Sequence, residues 1–192
     1  MTVFDLIFLM VLPAVVVTLL LTAVTLMRRQ YRRAQKLLSG LAVFVAAYFA
    51  VILGVSLTSP REVVALQEPQ CFDDWCIAVD QVEMAPSGAD VAYTVTLRIF
   101  SRARGRPQRE NGVSVYLLDG QNRRYKPAAD PLAPPLNTLL NPGESVLTVR
   151  RFTLPADALK PGLVVAHGRF PGLFIIGDDQ SLLHKPTVVL FP

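Results

Sequence analysis

The chain has 192 residues, 52% of them hydrophobic, and a formal charge of +4. The basic surplus is local: from residue 61 onward 14 Lys or Arg balance 14 Asp or Glu, and the excess is five basic residues between 28 and 36 less Asp5. Without a basic domain to release counterions from a phosphate backbone, nucleic-acid binding loses its main driving term and is set aside.

Two N-terminal stretches, residues 6–27 and 37–57, contain no charged residue. At 1.5 Å per residue each reaches roughly 30 Å, the thickness of a bilayer's hydrocarbon core, which predicts two membrane-spanning helices. The residues ahead of the first, MTVFD, include an acid and no Lys or Arg, and 22 apolar residues exceed the roughly 7 to 15 of a signal-peptide core, so the stretch reads as an anchor. Pro13 is compatible with a membrane helix, where neighbours satisfy the freed carbonyl.

The intervening loop 28–36, RRQYRRAQK, carries Arg28, Arg29, Arg32, Arg33 and Lys36 and no acid. The positive-inside bias places it in the cytoplasm and both termini outside. Ala42, Ala46, Ala50 and Gly54 recur at four-residue intervals in the second span, and Ala14, Thr18 and Thr22 do so in the first. Small residues let helix backbones approach in lipid, so a hairpin with these two ridges in contact is expected, the rival being a ridge reserved for a separate membrane partner.

Residues 61–192 suffice for one domain with a real core. Fourteen of the fifteen prolines lie from Pro60 onward, and no long stretch there keeps a helical period. In VAYTVTLRIF, Val91, Tyr93, Val95, Leu97 and Ile99 alternate with Thr94, Thr96 and Arg98, the pattern of a half-buried antiparallel strand, with Phe100 out of step on the polar face. Further strands are predicted at 76–84, 112–118, 123–126, 146–154, 163–167 and 187–191, separated by the turn-forming runs APSGAD, RGRPQREN, DGQN and NPGE. Residues 132–140, interrupted by paired prolines, read as a loop across one end. About seven short strands in this length predict an immunoglobulin-like sandwich.

The runs VAYTVTLRIFSRARG, VYLLDGQNRRYKP and LNPGESVLTVRRFTLPADA resemble a bacterial membrane-anchored extracytoplasmic domain of unknown function, the DUF4352 type. The resemblance covers roughly residues 75–165 and implies an immunoglobulin-like fold. It implies no activity, because the shared residues form turns and core. The anchor here is a helical hairpin in place of a lipidated cysteine, and the tail FIIGDDQSLLHKPTVVLF is longer than in that family.

CFDDWC holds the only two cysteines, Cys71 and Cys76. Outside the cytoplasm a disulfide is the expected state, closing a small loop with about 2 kcal/mol of stabilisation, and Trp75 is expected to pack over it. A redox pair would need Cys-x-x-Cys in a βαβ setting, and zinc would need two more ligands than the distant His167 and His184 offer. Asp73 with Asp74 and Asp178 with Asp179 would bind calcium only if the fold joined them, and they read as turn residues. Ser181 and His184 lack the setting of a hydrolase nucleophile. Arg102, Arg104, Arg106 and Arg109 form the one basic segment outside the spans, read first as a solvated loop at a hairpin tip and second as a candidate contact with an anionic surface such as phospholipid headgroups or a cell-wall polymer.

The expectation is therefore a non-catalytic protein of the bacterial cytoplasmic membrane, without cofactor, whose extracytoplasmic sandwich binds or scaffolds an envelope protein. The alternative is a sensor or accessory subunit whose hairpin joins a transporter or signalling complex. Small-residue ridges packed on each other favour the first, and ridges facing lipid favour the second.

Overall fold

A computed structural model describes residues 3–168, 172–178 and 180–191. Asp179 and the chain ends Met1 and Pro192, on which the calcium and topology expectations partly fall, lie outside the described residues. The chain forms two compact units, Met1–Pro60 with Arg169–Lys185, and Arg61–Gly168 with Pro186–Pro192. The second unit was expected to run unbroken over 61–192. The described residues of 172–185 group instead with the helices, where Phe174 engages the second helix.

In the first unit, α1 (Val3–Met27) and α2 (Tyr31–Thr58) form an antiparallel pair. The predicted loop 28–36 shrinks to a turn over residues 28–30, closed by Arg29 at φ 57° and by the Gln30 amide donating to the Thr25 carbonyl at 2.8 Å. Arg32, Arg33 and Lys36 are straight-chain residues with good helix propensity, and they fall within the first turns of α2.

The residues of α1 turned inward are Phe8, Val11, Val15, Thr18, Thr22 and Thr25, and those of α2 include Ala34, Leu37, Leu41, Val45, Tyr48 and Ile52. Their alternating steps of three and four residues are the seam of a left-handed helix pair. Thr18 and Thr22 lie on this seam. Ala14 does not, and neither do Ala42, Ala46, Ala50 and Gly54, all of which are exposed. The expected contact between ridges is thus corrected, for a geometric reason. A strict four-residue repeat drifts by roughly 40° per step and winds off the seam within two turns, whereas three-four alternation stays on it.

Among the described residues, the second unit is a sandwich of nine strands: β1 (Val63–Val64), β2 (Gln70–Phe72), β3 (Trp75–Ser87), β4 (Asp90–Ser101), β5 (Ser114–Leu118), β6 (Arg124–Tyr125), β7 (Ser145–Pro155), β8 (Gly162–Ala166) and β9 (Val188–Leu190). One sheet has the order β2-β3-β4-β7 and the other β1-β9-β8-β5-β6. With β3, β4 and β7 as strands A, B and E, and β9, β8, β5 and β6 as G, F, C and C′, this is the immunoglobulin arrangement. All seven expected strands form. The two additional ones, β1 and β2, are too short to show a period.

Between the sheets lie Trp75, Val95, Leu97, Leu117, Phe152 and Leu163, each at most 1% exposed. The alternation read in VAYTVTLRIF places Tyr93, Val95, Leu97 and Ile99 in this core. A bulge at Asp80, opposite the Leu97 to Thr96 step, ends the fully buried half of β3. Gly162 is the only residue type that fits its site, since a Cβ there would strike the Val188 side chain and approach the Val189 carbonyl oxygen to 2.8 Å. Gly143, at φ +75°, supplies the left-handed residue of the NPGE turn.

Residues 132–140 are a loop, as expected, which runs beside β7 and ends in the Leu140 bridge to Gln108. The Pro134 carbonyl accepts from Thr148 Oγ1 at 2.7 Å and from Arg150 at 2.8 Å, and the Ala128 amide donates to the Arg151 carbonyl. β7 is the outer strand of its sheet, and this segment occupies its otherwise unpaired edge.

Candidate functional site

The connection from β8 to β9 is about twenty residues long, where sandwich connections are usually 2 to 6. Its middle lies along the C-terminal half of α2 in an ordered register. The Tyr48 hydroxyl donates to the Phe174 carbonyl at 2.7 Å, and the Phe49 ring meets the Phe174 ring edge-on at 6.1 Å. Two turns further along the helix, the hydroxyls of Ser56 and Ser181 are 3.3 Å apart, both residues buried. At the helix end, Lys185 Nζ donates to the Ser59 carbonyl at 3.2 Å.

The segment also satisfies much of its own backbone. Gly172–Phe174 form a turn of 3-10 helix, the Ile175 amide donates to the Gly172 carbonyl, and the Leu182 amide donates to that of Leu173. Asp178 Oδ1 accepts from the Gln180 amide at 2.7 Å. Sequence reading noticed the unusual length of this tail but not its partner, because Tyr48 and Phe49 look like any other aromatic residues of a span.

Arg102, Arg104, Arg106 and Arg109 are all exposed, and among the described residues none forms an ion pair. Arg102 lies 5.5 Å from the Phe100 ring centroid, with Arg98 at 5.2 Å on the same ring, which explains the aromatic residue on a polar face. The segment is not a hairpin tip. β4 and β5 belong to different sheets, so it is a crossover, anchored by the Gln108 and Leu140 bridge. Because Ser114 pairs with Ala166, this crossover emerges at the end of the sandwich where the chain leaves β8.

Cys71 and Cys76 form a disulfide between directly paired positions of the β2–β3 hairpin, with Cα atoms 4.0 Å apart. Asp73, at φ 53°, and Asp74 are its two-residue turn. Trp75 is core and meets the Phe72 ring at a tilt, 6.0 Å between centroids, while Phe72 in turn meets His167 at 4.2 Å. These contacts make the motif a structural staple. Among the described residues, no three His, Cys, Asp or Glu side chains gather into a metal-binding group.

Asp119 was read only as a turn residue, and the structure makes it the centre of a polar lock. It is 1% exposed. Its Oδ1 accepts from the Gln121 and Arg123 amides at 2.9 and 2.8 Å, and its Oδ2 from Arg123 Nε at 2.6 Å and the Tyr125 hydroxyl at 3.1 Å. Arg123 reaches on to both oxygens of Asp157 at 3.0 and 3.1 Å. Burial pushes the Asp119 carboxyl up, but the four hydrogen bonds outweigh it and hold it below the usual carboxylate range. Burial and the bond to Asp119 push Tyr125 up. With every lone pair committed, the cluster serves the fold.

No family model matches the chain. No curated protein matches it either. Two bacterial solved structures are similar to it. A conserved hypothetical protein from Bacillus anthracis is 14% identical with a TM-score of 0.41, covering 53% of this chain and 87% of that one. An uncharacterized β-sandwich protein from Clostridium difficile 630 is 9% identical with a TM-score of 0.41, covering 70% of this chain and 96% of that one.

Proposed function

We propose that this protein is a non-catalytic, bilayer-tethered component of the bacterial envelope. Its hairpin spans the cytoplasmic membrane with the basic turn inside, and its immunoglobulin-like sandwich stands outside to bind or scaffold an envelope protein. One observation carries the tether. Both helices are long and apolar enough to cross a membrane, yet only 6% of each apolar window is buried within the protein. The core helix of a soluble protein would be mostly buried, so apolar surface of this extent supports a place in lipid. The exposed arginines of the β4–β5 crossover, which form no ion pair among the described residues, support an outer domain that touches an anionic surface.

The exposure of Ala42, Ala46, Ala50 and Gly54 favours a second reading, the accessory subunit. A close-packing ridge turned away from α1 is available to a helix of another membrane protein.

Thiol labelling in intact spheroplasts tests the tether, with no background because both native cysteines are bonded. Leu132→Cys, at a site 93% exposed on the sandwich, should react with a membrane-impermeant maleimide before lysis. Gln35→Cys should react only after it. The reverse order refutes the topology, and loss of the protein to the soluble fraction at alkaline pH refutes the span. Photocrosslinkers at Leu132 and at Ala46 then separate the two readings, protein adducts from the first supporting the scaffold and from the second the accessory subunit.

A further inference from the structure

We propose that the β8–β9 connection, over its described residues 172–178, is a membrane-inserted loop, whose partner is the outer leaflet of the bilayer. The inference rests on the reading of α1 and α2 as spans and adds a third point of membrane entry to it. Lys36 is the last charge before the apolar run of α2, and about 20 helical residues cross the hydrocarbon, which sets the outer edge near residue 56. Tyr48 and Phe49, the residues that hold Phe174, then lie about 10 Å inside that edge at 1.5 Å per residue.

Polarity along the loop follows depth along the helix. Phe174, within the apolar run 173–176, lies deepest, at the level of Tyr48 and Phe49. Ser181 meets Ser56 at the edge, and Lys185 meets Ser59 beyond it. A loop lying on a helix in water has no reason to grade this way. One entering a leaflet does, because charged groups must stay at the headgroups while apolar ones gain from the hydrocarbon.

Irregular backbone tolerates membrane depth only where its polar groups are satisfied. At the deep end of this loop three consecutive carbonyls, Gly172, Leu173 and Phe174, have donors. Its 3-10 turn closes on itself, the Leu182 amide reaches Leu173, and the Tyr48 hydroxyl takes up the Phe174 carbonyl. Tyr48 in this account is no random aromatic of a span but the donor that makes the insertion affordable.

Spin labels on the full-length protein, reconstituted in phosphatidylcholine and phosphatidylglycerol vesicles, test the loop. Sites are Leu173→Cys at its deep end, Leu183→Cys on its exposed flank at 62% exposure, Ala46→Cys on α2 as the lipid reference, and Leu132→Cys as the water reference. The ratio of collision with oxygen to collision with a water-soluble nickel complex should at Leu173 fall within about twofold of Ala46, and at Leu183 between the references, at least fivefold above Leu132. Leu173 and Leu183 both matching Leu132 while Ala46 is lipid-exposed overturns the insertion and leaves the spans intact. A water-exposed Ala46 overturns the spans and the insertion with them. Tyr48→Phe separates insertion from simple packing: it should lower the Leu173 ratio at least threefold with Ala46 unchanged, and an unchanged Leu173 ratio refutes the role given to the hydroxyl.

Discussion

Replacing Asp119 by Asn tests the polar lock beneath the β5–β6 turn. The amide is nearly isosteric, keeps one carbonyl oxygen and can still accept from the Gln121 and Arg123 amides. It loses the charge that faces Arg123 Nε at 2.6 Å, and its NH2 group opposes both that donor and the Tyr125 hydroxyl. Removing one partner of a fully buried ion pair costs about 3–5 kcal/mol. Arg123 is 36% exposed and keeps Asp157, so water and the second carboxylate offset part of the loss, and about 2–3 kcal/mol remains. At about 4 °C per kcal/mol for a unit of this size, the midpoint should fall by about 8–12 °C. The single tryptophan, Trp75, is buried in the sandwich core and reports its unfolding by fluorescence in detergent-solubilised full-length protein. The acid limb is the sharper check. The Asp119 carboxyl titrates below its unfolded value, so its contribution is complete above about pH 4 and is lost as pH falls through the lower folded value. The variant should lack that part of the decline. A midpoint within about 2 °C of wild type, or an unchanged slope below pH 4, would refute the lock.

Cys71→Ala should lower the same midpoint by about 8 °C, from the loss of about 2 kcal/mol on opening a six-residue loop, and mass measurement of the native protein without reductant should find no free thiol. Replacing Arg28, Arg29, Arg32, Arg33 and Lys36 with Gln should leave the helices intact but randomise their orientation, so that Leu132→Cys labels in only part of the population. Replacing Arg102, Arg104, Arg106 and Arg109 with Gln should leave the midpoint unchanged. In zwitterionic nanodiscs it should also reduce salt-sensitive binding to anionic vesicles, an attraction that acts over about 8 Å at physiological salt. Equal binding by the two proteins would make the crossover merely solvated.

The sequence by itself determined the features that repeat at short range. Charge-free runs of bilayer length, the five basic residues between them, the two-residue alternation of VAYTVTLRIF and the Asn141-Pro142-Gly143 turn each express a local preference of the backbone or a solvent. Each survives into the structure. The close pairing of Cys71 with Cys76 was legible for the same reason, since a hairpin brings residues five apart face to face. Tertiary structure alone decided which side of each helix is inward, because Thr22 and Ala46 are both small residues in an apolar run, and only the three-four geometry of the seam separates them. It alone set Arg123 between Asp119 and Asp157, the second of them 34 residues further along the chain. The β8–β9 loop was invisible for the same physical reason: a hydrogen bond between residues 126 apart, Tyr48 and Phe174, leaves no period in either segment that forms it.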